Sequence, residues 1–283
     1  MKLGVISDCF GRPMSESIEI AASLGLSGIQ MYAVKGELDP DNILNDREKL
    51  DGYKKLLRDK GLAVSALCGD LGGHGFEDAE DNVWKIEKTK KIIDLACEFG
   101  TKVVTTHIGL IPEDKECEKY KVMLEGIRAC GEYAASRGVT LAIETGPEIA
   151  VTLYEFVKQA GSGVGVNLDP ANFVMVTGQD PAEAVYMLKD YIVHTHLKDG
   201  KKLCEFDPAN LYSPPAGVSV NWGDYILETP VGEGNVNFRE YFKALTDIGY
   251  EGFLTIERET GADPAVDIAK AADYVRDNFA EIL

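Results

Sequence analysis

Glycine stands at Gly25, Gly61, Gly100, Gly138 and Gly249, each time after an amphipathic stretch and before a β-branched or apolar run. A glycine so placed closes a helix in the left-handed conformation, so each marks a helix end with a strand to follow. The first four lie 36, 39 and 38 residues apart, close to the length of one strand, one helix and two loops, and the chain therefore repeats a βα module. Strands are predicted at residues 3–8, 28–32, 63–68, 102–107, 140–144, 164–169, 192–196 and 253–257. Between them, Met123, Ile127, Cys130 and Ala134, and likewise Ile268, Ala272, Val275, Phe279 and Ile282, recur by threes and fours. That spacing predicts outer helices with one buried stripe.

Eight strands alternating with helices predict a parallel (β/α)8 TIM barrel formed by one domain, residues 1–283. An open, doubly wound sheet has the same periodicity, which does not report closure. No GxGxxG follows the first strand, where Ser7-Asp8-Cys9-Phe10 stands, and no GxxxxGK[ST] occurs. Dinucleotide and P-loop sites are accordingly not expected.

Composition narrows the partners. Hydrophobic residues make up 45% and charged residues 27%, ordinary for a folded soluble enzyme. The formal charge of −18 repels phosphate backbones and anionic lipid surfaces, so neither nucleic acid nor a membrane is an expected partner. No run reaches the roughly 20 apolar residues of a membrane helix, and Met1-Lys2-Leu3 leads straight into a strand without a signal-peptide core. A cytoplasmic location is expected. The six cysteines contain no CxxC pair, which predicts reduced thiols rather than a zinc knuckle or disulfide framework.

In a parallel barrel, strand C-termini converge on one mouth, so a charged residue ending an apolar strand projects into a shared cavity. The last four strands end in Leu141-Ala142-Ile143-Glu144, Val166-Asn167-Leu168-Asp169, His194-Thr195-His196 and Leu254-Thr255-Ile256-Glu257. Three crowded carboxylates repel and raise each other's pKa unless a cation neutralises them. A divalent-metal site of Glu144, Asp169, His196 and Glu257 is therefore predicted; separate salt bridges are the competing account. Mixed oxygen and imidazole donors make Mn²⁺ the first expectation, with Mg²⁺, Co²⁺, Fe²⁺ or Zn²⁺ as alternatives.

Other polar residues are expected near substrate. His107 ends the fourth strand, and His194 shares the parity of His196, placing it either against substrate or beneath the ligand histidine in the core. His74, in a run of glycines, reads as an exposed loop residue. The seventh βα connection, residues 198–234, carries Tyr212, Pro214, Pro215, Trp222 and Tyr225, which suits either an aromatic lid stacking on a sugar or a packing loop. Lys198, Lys201, Lys202 and Arg258 are the cations near the mouth that could combine on a phosphate.

At Ile143-Glu144-Thr145, Asn167-Leu168-Asp169-Pro170-Ala171-Asn172, His194-Thr195-His196-Leu197-Lys198-Asp199, Pro230-Val231-Gly232-Glu233-Gly234 and Thr255-Ile256-Glu257, the chain resembles the sugar phosphate isomerase/epimerase superfamily. These are the xylose isomerase-like TIM barrels, which include ketose 3-epimerases, inosose dehydratases and endonuclease IV, and the likeness spans essentially the whole chain. It implies metal ligands at Glu144, Asp169, His196 and Glu257, the two glutamates doubling as an acid/base pair on a carbohydrate. Ketose epimerases usually carry a histidine three residues after the metal aspartate and an arginine six after the metal histidine. Here Asn172 and Lys202 stand instead. The four histidines of the chain fall short of the multi-zinc cluster that endonuclease IV needs.

The expected activity is a metal-dependent isomerase or epimerase acting on a ketose or related keto sugar through an enediolate. Two alternatives stay open: a lyase resembling inosose dehydratase, with His194 or Glu148 as its acid, and a carbohydrate-binding or complex subunit that retains the metal site. His107, Glu148, Asn172, His194, Lys198 and Trp222 are the expected substrate contacts. Subunit number is open, a homo-oligomer included.

Overall fold

The computed structural model describes residues 1–214 and 217–283. All five repeat-marking glycines take φ between 65° and 76°, a conformation that a Cβ would disfavour, and each ends a helix as the repeat requires.

The described residues form ten strands, the eight expected and two more: β1 (Lys2–Ile6), β2 (Gly28–Tyr32), β3 (Ala63–Cys68), β4 (Val103–Thr106), β5 (Thr140–Glu144), β6 (Val164–Leu168), β7 (Ile192–Leu197), β8 (Asp199–Lys202), β9 (Ile226–Thr229) and β10 (Phe253–Ile256). Eight form a closed parallel barrel in the order β1-β10-β7-β6-β5-β4-β3-β2. Closure lies in β1, where Val5 pairs Ile29 on one side and Ile256 on the other. The open sheet is thereby excluded. Predicted strand ends ran long in four places. The first strand stops at Ile6 because Ser7–Phe10 turns into a 3-10 helix closed by Gly11 at φ 60°.

The predicted helical stripes are buried. Met123, Ile127, Cys130 and Ala134 of helix Glu118–Ser136 are fully shielded, as are Ile268, Ala272 and Val275 of helix Pro264–Asn278. Asp263 caps the latter helix and Pro264 opens it, the usual division of labour at a helix start. Ile282 lies beyond that helix, in a 3-10 turn. No described helix is long and apolar enough to cross a membrane.

The seventh connection is more ordered than a loop. β8 and β9 pair antiparallel, Asp199 opposite Thr229 and Lys202 opposite Ile226, and helix Ala209–Tyr212 lies between them. Asp199-Gly200-Lys201-Lys202 has no apolar alternation, so periodicity gave no sign of a strand. One carboxylate fixes this excursion: Asp199 accepts backbone N–H bonds from Gly200, Gly232, Gly234 and Val236 at 2.8 to 3.1 Å. Gly232 has φ 90°, and a Cβ on Gly234 would fall on the Asp199 carboxylate. The Gly232-Glu233-Gly234 and Lys198-Asp199 motifs are thus two halves of one backbone clamp.

Candidate active site

Adjacent strands β5, β6, β7 and β10 deliver the four predicted ligands in barrel order. Glu144 ends β5, Asp169 follows β6, His196 lies in β7, and Glu257 follows β10 with its N–H still on Leu197 O at 3.2 Å. One donor atom from each lies within 4.8 Å of the others, and all four residues are buried. His196 Nδ1 sits 2.8 Å from Glu257 Oε2, 3.4 Å from Glu144 Oε1 and 3.6 Å from Asp169 Oδ2.

The remaining atoms of these side chains are committed elsewhere. Asp169 Oδ1 accepts from Ala171 N and Asn172 N, capping the turn after β6, and Thr145 Oγ1 accepts from Asp169 N at 2.8 Å. Glu144 Oε2 accepts from Asn167 Nδ2 at 3.2 Å. His196 Nε2 meets Gln30 Oε1 at 3.2 Å. Asp169 Oδ2, His196 Nδ1 and Glu257 Oε2, by contrast, are buried without a hydrogen-bond partner. Three orphaned donor atoms in a ring of three carboxylates and an imidazole fit a divalent cation, which satisfies them together.

Electrostatics of the ring are strongly coupled. Burial alone would depress the His196 imidazolium, yet Glu144 and Glu257 hold its pKa well above the ordinary value. Burial opposes ionisation of Glu257, but Lys198 and His196 outweigh it and lower its pKa. Lys198, itself buried, lies 3.2 Å from Glu257 Oε1.

Above the ring opens a cavity of about 650 Å³ whose walls include His107, Glu144, Glu148, Asn172, His196, Lys198, Tyr212, Trp222 and Glu257. Such a volume suits a small ligand.

A family model described as a xylose isomerase-like TIM barrel matches residues 18–278. The chain belongs to that family. The xylose isomerase-like barrel is 24% identical over 285 residues to the L-ribulose-5-phosphate 3-epimerase UlaE of Escherichia coli, covering 94% of this chain and 90% of the relative. Among solved structures it resembles a xylose isomerase domain protein from Planctomyces limnophilus (25% identity, TM-score 0.74, 93% and 92% of the two chains). It also resembles the IOLI protein with a bound zinc atom (17% identity, TM-score 0.75, 100% and 99%).

Within this xylose isomerase-like barrel the expected substrate contacts divide. His107, Glu148, Asn172, Lys198 and Trp222 reach the cavity; His194 does not. Its ring nitrogens are both engaged, Nδ1 donating to Asn167 Oδ1 at 3.0 Å and Nε2 accepting from Thr255 at 3.1 Å. Burial also drives its pKa well down. It supports the ligand layer from beneath. Asn172 has given one amide hydrogen to Thr145 O at 2.9 Å. Burial lifts the Glu148 carboxyl to about 7, against the N–H of Ile111. Tyr212 and Trp222 form an edge-to-face pair, centroids 5.1 Å apart, on the cavity wall. Tyr225 packs on Phe206 instead, and Pro215 lies outside the described residues. Lys202 turns to a neighbouring cavity and pairs with Glu205 at 2.7 Å.

Several site residues escaped the strand-end rule. Gln30 is a lone polar residue inside β2, buried to 1% exposure, and its presence in an apolar strand was a readable signal. Asp70 follows β3 by one loop residue and bonds His107 Nδ1 at 3.2 Å. Glu228 sits on β9, the strand that sequence did not announce, and no local pattern marks it.

Proposed function

We propose that this chain is a divalent-metal-dependent isomerase or epimerase of a ketose or related keto sugar, working by proton transfer through an enediolate. The observation that carries the reading is the ring of Glu144, Asp169, His196 and Glu257 with its three orphaned donor atoms. The likeness to an epimerase over 94% of the chain supports it. Mn²⁺ is the ion proposed, on its affinity for mixed carboxylate and imidazole donors.

A bound divalent ion would polarise the carbonyl and neighbouring hydroxyl of the sugar and so acidify the C–H beside them. Asp169 and His196 chiefly hold the ion. Glu144 and Glu257 flank them in the strand order, so one can take the proton from one face of a planar enediolate and the other return it to the opposite face, as inversion at carbon requires. Lys198 keeps Glu257 ionised and able to accept. Tyr212 and Trp222 stack on the apolar face of the sugar and exclude water.

Incubating the Mn²⁺-loaded protein with a panel of ketoses in D₂O tests this. Solvent deuterium should enter the epimerised sugar, and Glu257→Gln should reduce turnover by about 10²- to 10⁴-fold. Unchanged turnover and metal content in that variant would overturn the mechanism. Glu148 favours a second reading, a lyase, because a cavity carboxyl with a pKa of about 7 can protonate a departing hydroxyl. A dehydrated product in the same assay identifies it.

A further inference from the structure

The charges around the cavity bear on which sugars the proposed isomerase or epimerase accepts. Lys198 is surrounded: its Nζ lies 3.1 Å from Glu259 Oε2, 3.2 Å from Glu257 Oε1 and 3.9 Å from both Asp169 Oδ2 and Glu228 Oε2. Arg258, also buried, gives Nη1 to Glu228 Oε1 at 2.8 Å and Nε to Asp267 Oδ2 at 3.0 Å. Lys202 faces the neighbouring cavity, and Lys201 does not line this one. The cations that could have combined on a phosphate are spent on carboxylates or point away.

The balance is acidic even with the metal present. Three ligand carboxylates exceed a divalent ion by one charge, while Glu228, Glu259 and Asp267 offset Lys198, Arg258 and Lys270, the last 3.5 Å from Asp267 Oδ1, so no cation is left over. His107 is matched by Asp70. The glycine loop offers backbone amides, but Gly72 N is already given to Asp70 Oδ1 at 2.9 Å, so an anion there meets a carboxylate. A dianion placed in such a cleft loses its hydration and gains no partner.

We infer that the cavity selects an uncharged polyhydroxy ketone over its terminal phosphate ester, with Glu228 and Glu259 setting the selection. The inference rests on the isomerase or epimerase reading of the same site. Glu228 is fixed rigidly, its Oε1 also accepting from Glu259 N at 3.0 Å, while the Glu259 side chain is 56% exposed and tolerates exchange.

Calorimetric binding of free pentitols and hexitols, and of their terminal phosphate esters, to the Mn²⁺-loaded protein tests it. The best free polyol should bind at least about tenfold more tightly than any ester, and Glu259→Lys should narrow that ratio by about tenfold. Equal or tighter binding of an ester overturns the inference. So does an unchanged ratio in Glu259→Lys, or no binding of either class. Deuterium exchange with the matching ketoses reads the function separately: a free-polyol preference without exchange sinks the isomerase or epimerase reading and leaves this one standing.

Discussion

His196 Nε2 and Gln30 Oε1 lie 3.2 Å apart across the barrel interior, and this contact decides which face of the imidazole meets the carboxylates. Asn167 Nδ2 stands 3.1 Å from the same nitrogen, but Gln30 Oε1 can only accept; in the neutral ring that a bound cation requires, a proton on Nε2 pairs with Gln30 and turns the Nδ1 lone pair toward Glu144, Asp169 and Glu257. Gln30 itself is held by its Nε2 donating to Thr105 Oγ1 at 3.1 Å.

Gln30→Leu removes the acceptor while keeping the bulk. Metal affinity should fall about 10- to 100-fold, the usual effect of losing the partner that orients a ligand histidine. Competition between Mn²⁺ and a chelating dye measures it, with circular dichroism confirming the fold. An unchanged affinity would show that the tautomer is fixed some other way.

Glu148 gives a pH dependence of known sign. Its carboxyl stands at about 7 in the folded chain against an ordinary 4.5, chiefly through burial. Between those values the folded state holds a proton that the unfolded chain has released. The resulting stabilisation is complete below pH 4.5 and is lost as pH rises through 7, by roughly 3 kcal/mol. Glu148→Gln cannot titrate, so its stability in urea should gain on the wild type between pH 5 and pH 8. Parallel curves would contradict the assignment.

Asp199 tests the clamp separately from the metal. Replacing it with Ala leaves the buried N–H of Val236 and the part-buried N–H of Gly234 without their acceptor, at a cost of about 1 to 3 kcal/mol for the buried group and less for the other. Urea unfolding should report the loss, and Gly234→Ala should reproduce much of it by steric conflict. Full stability in both variants would mean the loop has another anchor.

Trp222 is 42% exposed and sits against Tyr212 on the cavity wall. Trp222→Ala should raise KM for a sugar about tenfold, in line with about 1.5 kcal/mol for an aromatic contact, and leave Mn²⁺ affinity untouched. A fall in kcat at constant KM would instead mark the ring as part of a closing step.

The parts of the site legible in sequence were those with a local signature. Glu144, Asp169, His196 and Glu257 each end an apolar strand, and the strand-end rule needs nothing beyond the strand itself. His194 was legible as inward-facing but not as satisfied, because its partners Asn167 and Thr255 lie 27 and 61 residues away. Glu228 was invisible. It reaches the mouth on β9, a short strand that pairs with the polar β8 and whose order depends on Asp199 and on a loop more than thirty residues after it.

The chain's own order of residues determined the βα repeat, the left-handed glycine at each helix end, and the polarity of each strand's last residue, because backbone conformation and hydrophobic periodicity are local properties. Tertiary structure alone decided that β1 joins β10 and closes the barrel, that four strand ends fall within 4.8 Å, and that Lys198 and Arg258 are consumed by carboxylates. Those outcomes depend on distances between residues far apart in the chain, and a distance across a barrel is fixed by strand number, register and packing together.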